Sequence, residues 1–234
     1  MHTNLFSLTI LIFWVAFPSP ASFAQETPPK IKSASDTTRP IELPELAKEL
    51  AERVKRDQAA RFKLIEVMQL QSTGASKNND KQENKDDAAA KAKSAALIHD
   101  LASIDDDNRA WLKTIVEKHG WPSKKLVGEK GAHDAWLLVQ HADADREFQK
   151  SCLAKMEQLP DGEVSKIDLA YLTDRVLVAE KKPQVYGTQC YEVDGKFQPR
   201  EVVDPTNLDQ RRHAIGLPPI AEYLQSMQEM YKGK

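Results

Sequence analysis

Asp57 and Arg61 are the first pair of residues whose types and spacing could do chemistry. They stand four apart with the acid first, the favourable order for an ion pair on one helix face. His141, within Gln140-His141-Ala142-Asp143, adds a side chain that titrates near neutral pH and can take and return a proton. Asp174 has Ala170, Tyr171, Leu177 and Val178 at its i±3 and i±4 positions. A carboxylate in such surroundings must be paired or change its pKa. Histidine with a carboxylate partner is the minimal equipment for general acid–base catalysis, and arginines can hold an anionic group. His141, Asp174 and Asp57 are therefore the catalytic candidates. Arg61, Gln149, Arg175, Gln184, Tyr186, Gln189 and Arg212 are the ligand-binding candidates.

The elements that must position them are mostly helices. Leu43–Gln71 has apolar residues at i, i+3, i+4 spacing, with Pro44 allowed in the first turn. With Leu50 at 0° and a step of about 100° per residue, Leu64, Val54 and Ile65 lie within about 60° of it. Asp57 at about 340° and Arg61 at about 20° fall inside that stripe, so the pair should point into the protein. Ala95–Ile104 reads as the end of a helix, and Asp105–Asp107 offer caps for a following one that stops at His119-Gly120-Trp121-Pro122. Gly131–His141 and Asp145–Leu159 predict two more helices. Ser165-Lys166-Ile167-Asp168 resembles a capping box and opens a nearly all-apolar, central helix to about Glu180. In it, Asp174 needs a donor, and an arginine or His141 are the strong ones at hand.

Gln184–Pro199 is the one strand region, with Asp194-Gly195 as its hairpin turn and Gly187 as a bulge or a place of close approach. Asp204-Pro205 caps a short helix ending at Gly216, and Pro218-Pro219 starts a last one. The expected fold is mainly α: a compact array of about seven or eight helices with one small β-hairpin near residues 184–199. It forms a single domain over residues 43–231. Ser76–Lys93 looks like a polar insertion, because nine of its eighteen residues are charged and its apolar residues are all alanine. It reads as a solvated loop or as a weak helical extension at the Ala-rich end.

Composition excludes several classes. The 234 residues carry 33 Lys+Arg against 35 Asp+Glu, a net charge of −2, which gives no footprint for nucleic acid. Two cysteines cannot build a disulfide scaffold, although one Cys152–Cys190 bridge stays open. His141, Asp143 and Asp145 could offer metal ligands, but N-capping accounts for the two acids; no metal and no cofactor is expected. No nucleophile-elbow, zinc-protease, phosphate-loop or dinucleotide motif is present. Leu5–Phe17 is a 13-residue apolar run, too short to span a bilayer, which needs about 20. Pro18 and Pro20 end it, and Ser22-Phe23-Ala24 gives small residues at the −3 and −1 positions of a cleavage site. Residues 1–24 thus read as a secretory signal, and residues 25–42, with Pro28, Pro29 and Pro40, as a disordered spacer. An exported, periplasmic or extracellular protein follows, with no stable membrane insertion after cleavage.

The series RDQAAR (Arg56–Arg61), DNRAWL (Asp107–Leu112), GWP (Gly120–Pro122), LLVQHADAD (Leu137–Asp145), LAYLTDRVLV (Leu169–Val178), PQVYGTQ (Pro183–Gln189) and RRHAIGLPPIAEY (Arg211–Tyr223) resembles a bacterial family, domain of unknown function 6624. The resemblance covers Leu43–Tyr223 apart from the insertion. It implies a shared fold and shared polar motifs, and nothing about a substrate. Among the residues it brings together are Asp57, Arg61, His141, Gln149, Asp174 and Arg175.

Three functions compete. One is an exported enzyme with acid–base chemistry on a polar substrate: His141 as acid or base, Asp174 or Asp57 as its carboxylate partner, and an arginine as anion holder. The second is a non-catalytic module that binds a small molecule or an envelope partner in the same place. The third is a scaffold whose polar network only fixes helix packing. The first two require Asp57, Arg61, His141, Gln149, Asp174 and Tyr186 to converge on one pocket, with Arg175 and Arg212 at its edge. The partner itself is unknown.

Overall fold

Seven α-helices and a β-hairpin make up residues 40–75 and 85–232, the part of the chain described by a computed structural model. The expected signal, the spacer up to residue 39 and residues 76–84 of the expected insertion lie outside the described residues. Helix α1 (Pro44–Ala75) and helix α2 (Lys85–His119) pack side by side. They run antiparallel: Arg53 and Arg56 of α1 meet Asp107, Arg61 meets Asp105, and Leu64 and Val67 join Leu97 and Leu101.

The break expected near Asp105–Asp107 does not exist, because α2 continues through it. These acids are engaged in side-chain pairs instead of capping. Asp107 accepts from Arg53 Nη1 at 3.0 Å and Arg56 Nη2 at 2.5 Å, Asp106 pairs with Arg109 at 2.9 Å, and Asp105 pairs with Arg61. The Ala-rich end of the expected insertion, residues 85–93, is the first part of α2 and so is helical. That helix ends where the sequence says: Gly120 takes φ +73° and donates to Val116 O at 3.1 Å.

Helix α3 (Lys124–Gln140) starts seven residues earlier than its apolar pattern suggests. It bends at Gly128, whose φ of +76° is non-helical. A Cβ there would come within 2.9 Å of Ile41 Cδ1. Residues 41–43 run along this bend, with Leu43 N–H donating to Leu126 O at 2.8 Å. The last residues of the expected spacer are therefore fixed against the domain by backbone bonds.

Helices α4 (Arg146–Glu157) and α5 (Lys166–Ala179) match their sequence signals. Asp145 caps α4 by accepting from Phe148 N–H at 3.0 Å, and Ser165 caps α5 by accepting from Asp168 N–H at 3.3 Å. Strands β1 (Cys190–Val193) and β2 (Lys196–Pro199) pair antiparallel, with Val193 opposite Lys196. Asp194 and Gly195 between them have φ of +50° and +74°, the two positive angles of a tight hairpin turn. Residues 184–189 are not strand as expected. Gln184 makes one isolated bridge to Val202, and the rest is a loop whose amides bond to the side chains of Asp174 and Gln184. Gly187 lies in that loop with φ +69°, and a Cβ on it would stand 3.2 Å from Ile220 Cδ1.

A short 3-10 turn leads into helix α6 (Leu208–Ala214), and helix α7 (Ile220–Lys232) follows. The main core takes Leu50, Leu112, Leu138, Val139, Met156, Leu172 and Tyr223 from six helices. Leu64, Val67, Leu97 and Leu101 form a smaller cluster further along α1 and α2. Cys152 and Cys190 are free, buried thiols, so the bridge left open by the sequence is not formed. No helix among the described residues is long and apolar enough to cross a membrane.

Candidate functional site

Where α1 crosses α2 and the C-terminal end of α3, four ionisable side chains meet. Arg61 is central. Its Nε lies 3.2 Å and 3.3 Å from the two Asp57 carboxylate oxygens, and its Nη2 lies 3.2 Å from Oδ1. Nη2 also donates to Asp105 Oδ1. His141 Nδ1 stands 3.0 Å from Asp57 Oδ1 and 3.1 Å from Arg61 Nε. Asp57 is 0% exposed, Arg61 2% and His141 6%. The pair that interrupts the α1 stripe thus points inward because its partners come from two other helices.

Charge settles the protons. Burial opposes ionisation of Asp57, but the adjacent His141 ring and the Arg61 guanidinium outweigh it and hold this carboxyl well below the usual range. Burial and then the Arg61 charge push the His141 pKa down, against the pull of Asp57, so the imidazole is held neutral. An ionised Asp57 can only accept, so the neutral ring carries its proton on Nδ1 and donates it to Asp57. Arg61 Nε then serves the carboxylate. This leaves the lone pair on His141 Nε2, and that atom is buried with no hydrogen-bond partner. Asp105 behaves in the opposite way to Asp57. Burial, reinforced by repulsion from Asp57, outweighs Arg61 and raises its carboxyl to about 7.

Asp57, Asp105 and His141 place one potential ligand atom each within 4.8 Å of one another. This is not the His141–Asp143–Asp145 set that the sequence suggested. The guanidinium of Arg61 is bonded to both carboxylates of this group, and a metal there would compete with it for the same oxygens.

A second group begins two residues past His141. Asp143 accepts from Arg175 Nε at 2.8 Å and also from Arg175 Nη2, and from Gln149 Nε2 at 3.1 Å. Gln149 Nε2 also bonds the carbonyls of Val139 and Gln140, at 3.0 Å and 3.2 Å, and so ties α4 to the end of α3. Arg175 Nη1 reaches Gln189 Oε1 at 3.4 Å, and Gln189 Nε2 reaches Thr188 Oγ1 at 3.2 Å. Gln184 and Gln189 lace the loop: Gln184 Nε2 donates to Gln189 O and its Oε1 accepts from Gln189 N–H, both at 2.9 Å.

Asp174 anchors a third group. The donors expected from Arg or His141 are instead backbone amides of the loop: Val185 N–H at 2.7 Å, Tyr186 N–H at 3.1 Å and Thr188 N–H at 2.9 Å, joined by Thr188 Oγ1 at 2.9 Å. Tyr186 contributes backbone on both sides, since its carbonyl accepts from Arg212 Nη1 at 2.6 Å. Arg212 is fully buried, also donates to Pro218 O, and lies 5.0 Å from the Tyr223 ring centre.

The structure therefore brings Asp57, Arg61 and His141 together. It links Gln149, Arg175, Gln189 and Asp174 in a chain of bonds, and joins Asp174 to Arg212 through the Tyr186 backbone and through Thr188, whose carbonyl accepts from the Tyr223 hydroxyl at 2.9 Å. Among the described residues no hydrogen bond connects His141 or Asp57 to Asp174. Sequence reasoning missed Asp105, Asp143 and Thr188 as participants. Asp105 had a signal: Leu101, Asp105, Asn108 and Leu112 fall on one stripe once the helix is continuous, and Leu101, Asn108 and Leu112 are buried.

No curated protein and no solved structure matches the chain. The model of a family of unknown function, DUF6624, matches residues 66–234, which include His141, Asp143, Gln149, Asp174, Arg175, the 183–189 loop and Arg212. Asp57 and Arg61 precede the matched stretch, although the resemblance read from the sequence began at Leu43. With most of its length matched, the chain belongs to the family of unknown function DUF6624.

Proposed function

We propose that the protein is an exported enzyme that performs general acid–base chemistry on a small polar substrate, with His141 as the proton-transferring group. The observation that carries this reading is the state of the ring: Nδ1 is anchored on Asp57 at 3.0 Å while Nε2 is buried without a partner. Orphaned buried nitrogens are rare, and each costs about 1–3 kcal/mol. An anchored ring with a free Nε2 is how a histidine base is presented. Asp57 orients the ring and Arg61 fixes Asp57. Arg175, held by Asp143 and Gln189, adds positive charge near His141 that would draw an anionic substituent. Asp174 acts at one remove, by holding the 185–188 backbone.

The complete burial of Asp57 favours the scaffold reading as the alternative. His141→Asn separates them. Asparagine keeps an N–H for Asp57 and removes the second ring nitrogen. The purified protein and the variant are compared on chromogenic esters, phosphomonoesters, glycosides and amides. The enzyme reading expects turnover of one class, a loss of about 100-fold or more in the variant, and a melting temperature within a few degrees. Saturable binding without turnover indicates the binding module. No turnover or binding, with a large fall in stability, indicates the scaffold. Export is tested by N-terminal sequencing of protein recovered outside the cytoplasm: Gln25 is expected, and Met1 overturns the signal.

A further inference from the structure

At the other end of α3 from His141, a cleft of about 480 Å³ lies between the start of α3 and the start of α5. Its volume is in the range of small-molecule sites. Met156 and Val164 give it apolar wall, and Trp121, His133, Ser165 and Asp168 give it polar groups. His133 Nδ1 lies 3.1 Å from both oxygens of the buried Asp168 carboxylate, and the ring stacks on Trp136 with centres 4.8 Å apart. The imidazole is thus held in place at Nδ1. Among the described residues its other nitrogen has no hydrogen-bond partner, and the side chain is 43% exposed.

We propose that this cleft binds a small organic carboxylate with an apolar tail. The groups left over in it are donors. Trp121 is 3% exposed, and its indole N–H is buried without a partner. An indole can only donate. Ser165 Oγ accepts from Asp168 N–H, and among the described residues its hydroxyl proton has no acceptor. His133 presents the third donor at Nε2 when charged. Burial opposes that charge, but the hydrogen bond and charge of Asp168 prevail and raise the imidazole pKa. The acidic groups are already taken: Asp168 by His133, Glu129 by Lys124 at 3.0 Å, and the neighbouring Asp134 by Lys130 at 2.5 Å. Trp121, Ser165 and His133 line the same cleft as its apolar wall, and their three donors suit a ligand with two acceptor oxygens and a hydrocarbon body. His133 and His141 are eight residues apart on one helix, about 12 Å along its axis, so this site is independent of the acid–base reading.

The protein is titrated with phenylacetate and with octanoate, using calorimetry and the indole N–H resonance of Trp121 as readouts. Benzyl alcohol and octanol are the neutral controls. Saturable binding of a carboxylate is expected, with a shift of the Trp121 resonance and at least tenfold weaker binding of the matching alcohol. His133→Asn, which keeps an N–H for Asp168 and removes the second ring nitrogen, and Trp121→Phe are each expected to lower affinity about tenfold or more. The proposal is overturned if neither carboxylate saturates up to about 10 mM, if the alcohols bind equally well, or if His133→Asn leaves affinity unchanged. Should Trp121→Phe fail to fold, His133→Asn at its partly exposed position keeps the test decisive.

Discussion

The carboxylate of Asp57 and Nδ1 of His141 meet at 3.0 Å across 84 positions of sequence. Neither residue could be buried alone. Asp57 is kept ionised by Arg61 and by the ring, and the ring takes its tautomer from Asp57. The contact therefore ties α1 to the end of α3 and also sets which nitrogen of His141 is left free.

Arg61 is the keystone of that arrangement. Arg61→Met leaves the buried Asp57 charge without its cation and is expected to cost about 3–5 kcal/mol of unfolding free energy, read from urea denaturation. Adding Asp57→Leu to it should recover part of the loss, because the stranded charge is gone. Additive losses would contradict a coupled pair.

Asp105 should make stability depend on pH in an unusual direction. Its carboxyl lies at about 7 in the folded chain and at about 3.8 in the unfolded one. Between these values the folded state binds more protons, so this group's contribution is complete below about pH 4 and is lost as pH rises toward 7. Asp57 works the other way and only at lower pH, as its depressed carboxyl is protonated. Asp105→Asn should flatten the stability profile between pH 4 and 7 in chemical denaturation. An unchanged slope there would refute the raised value.

Asp174→Asn exchanges an acceptor oxygen for an NH2 that faces backbone amides. Val185, Tyr186 and Thr188 then compete for one oxygen. A loss of about 2–3 kcal/mol is expected, with faster amide hydrogen exchange confined to residues 185–189. Exchange that stays slow there would mean the loop is held by Arg212, the glutamines and Arg211, whose Nε donates to Val185 O at 3.0 Å.

The two thiols give a chemical check on the fold. Burial pushes both Cys152 and Cys190 up to about 12, so neither is a thiolate at neutral pH. Native protein should react slowly with a thiol reagent, and unreduced, denatured protein should release two equivalents. Titration of no thiols would mean a bridge.

Much of the fold follows from local rules, and those rules worked where they were local. Asp145 and Ser165 cap their helices, Gly120 ends one, and Asp194-Gly195 turns the hairpin, each because a single residue decides its own φ or supplies a nearby acceptor. Capping residues misled where a distant partner outbid the helix end. Asp105–Asp107 looked like caps, but arginines of α1 and α2 take their carboxylates and let α2 run on. The 183–189 segment has strand-like residues, yet its amides bond to Asp174 and to Gln184 rather than to a neighbouring strand.

Sequence periodicity determined that Asp57, Arg61 and Asp174 would be turned inward, because a polar residue inside an apolar stripe has no other side to face. It could not determine what each would meet. Which acceptor a buried donor finds depends on how helices cross, and that is set by packing among residues tens of positions apart. Tertiary structure alone gave Asp57 to His141 and Arg175 to Asp143, and it gave Asp174 to a backbone loop. It alone left Nε2 of His141 and the indole N–H of Trp121 without partners.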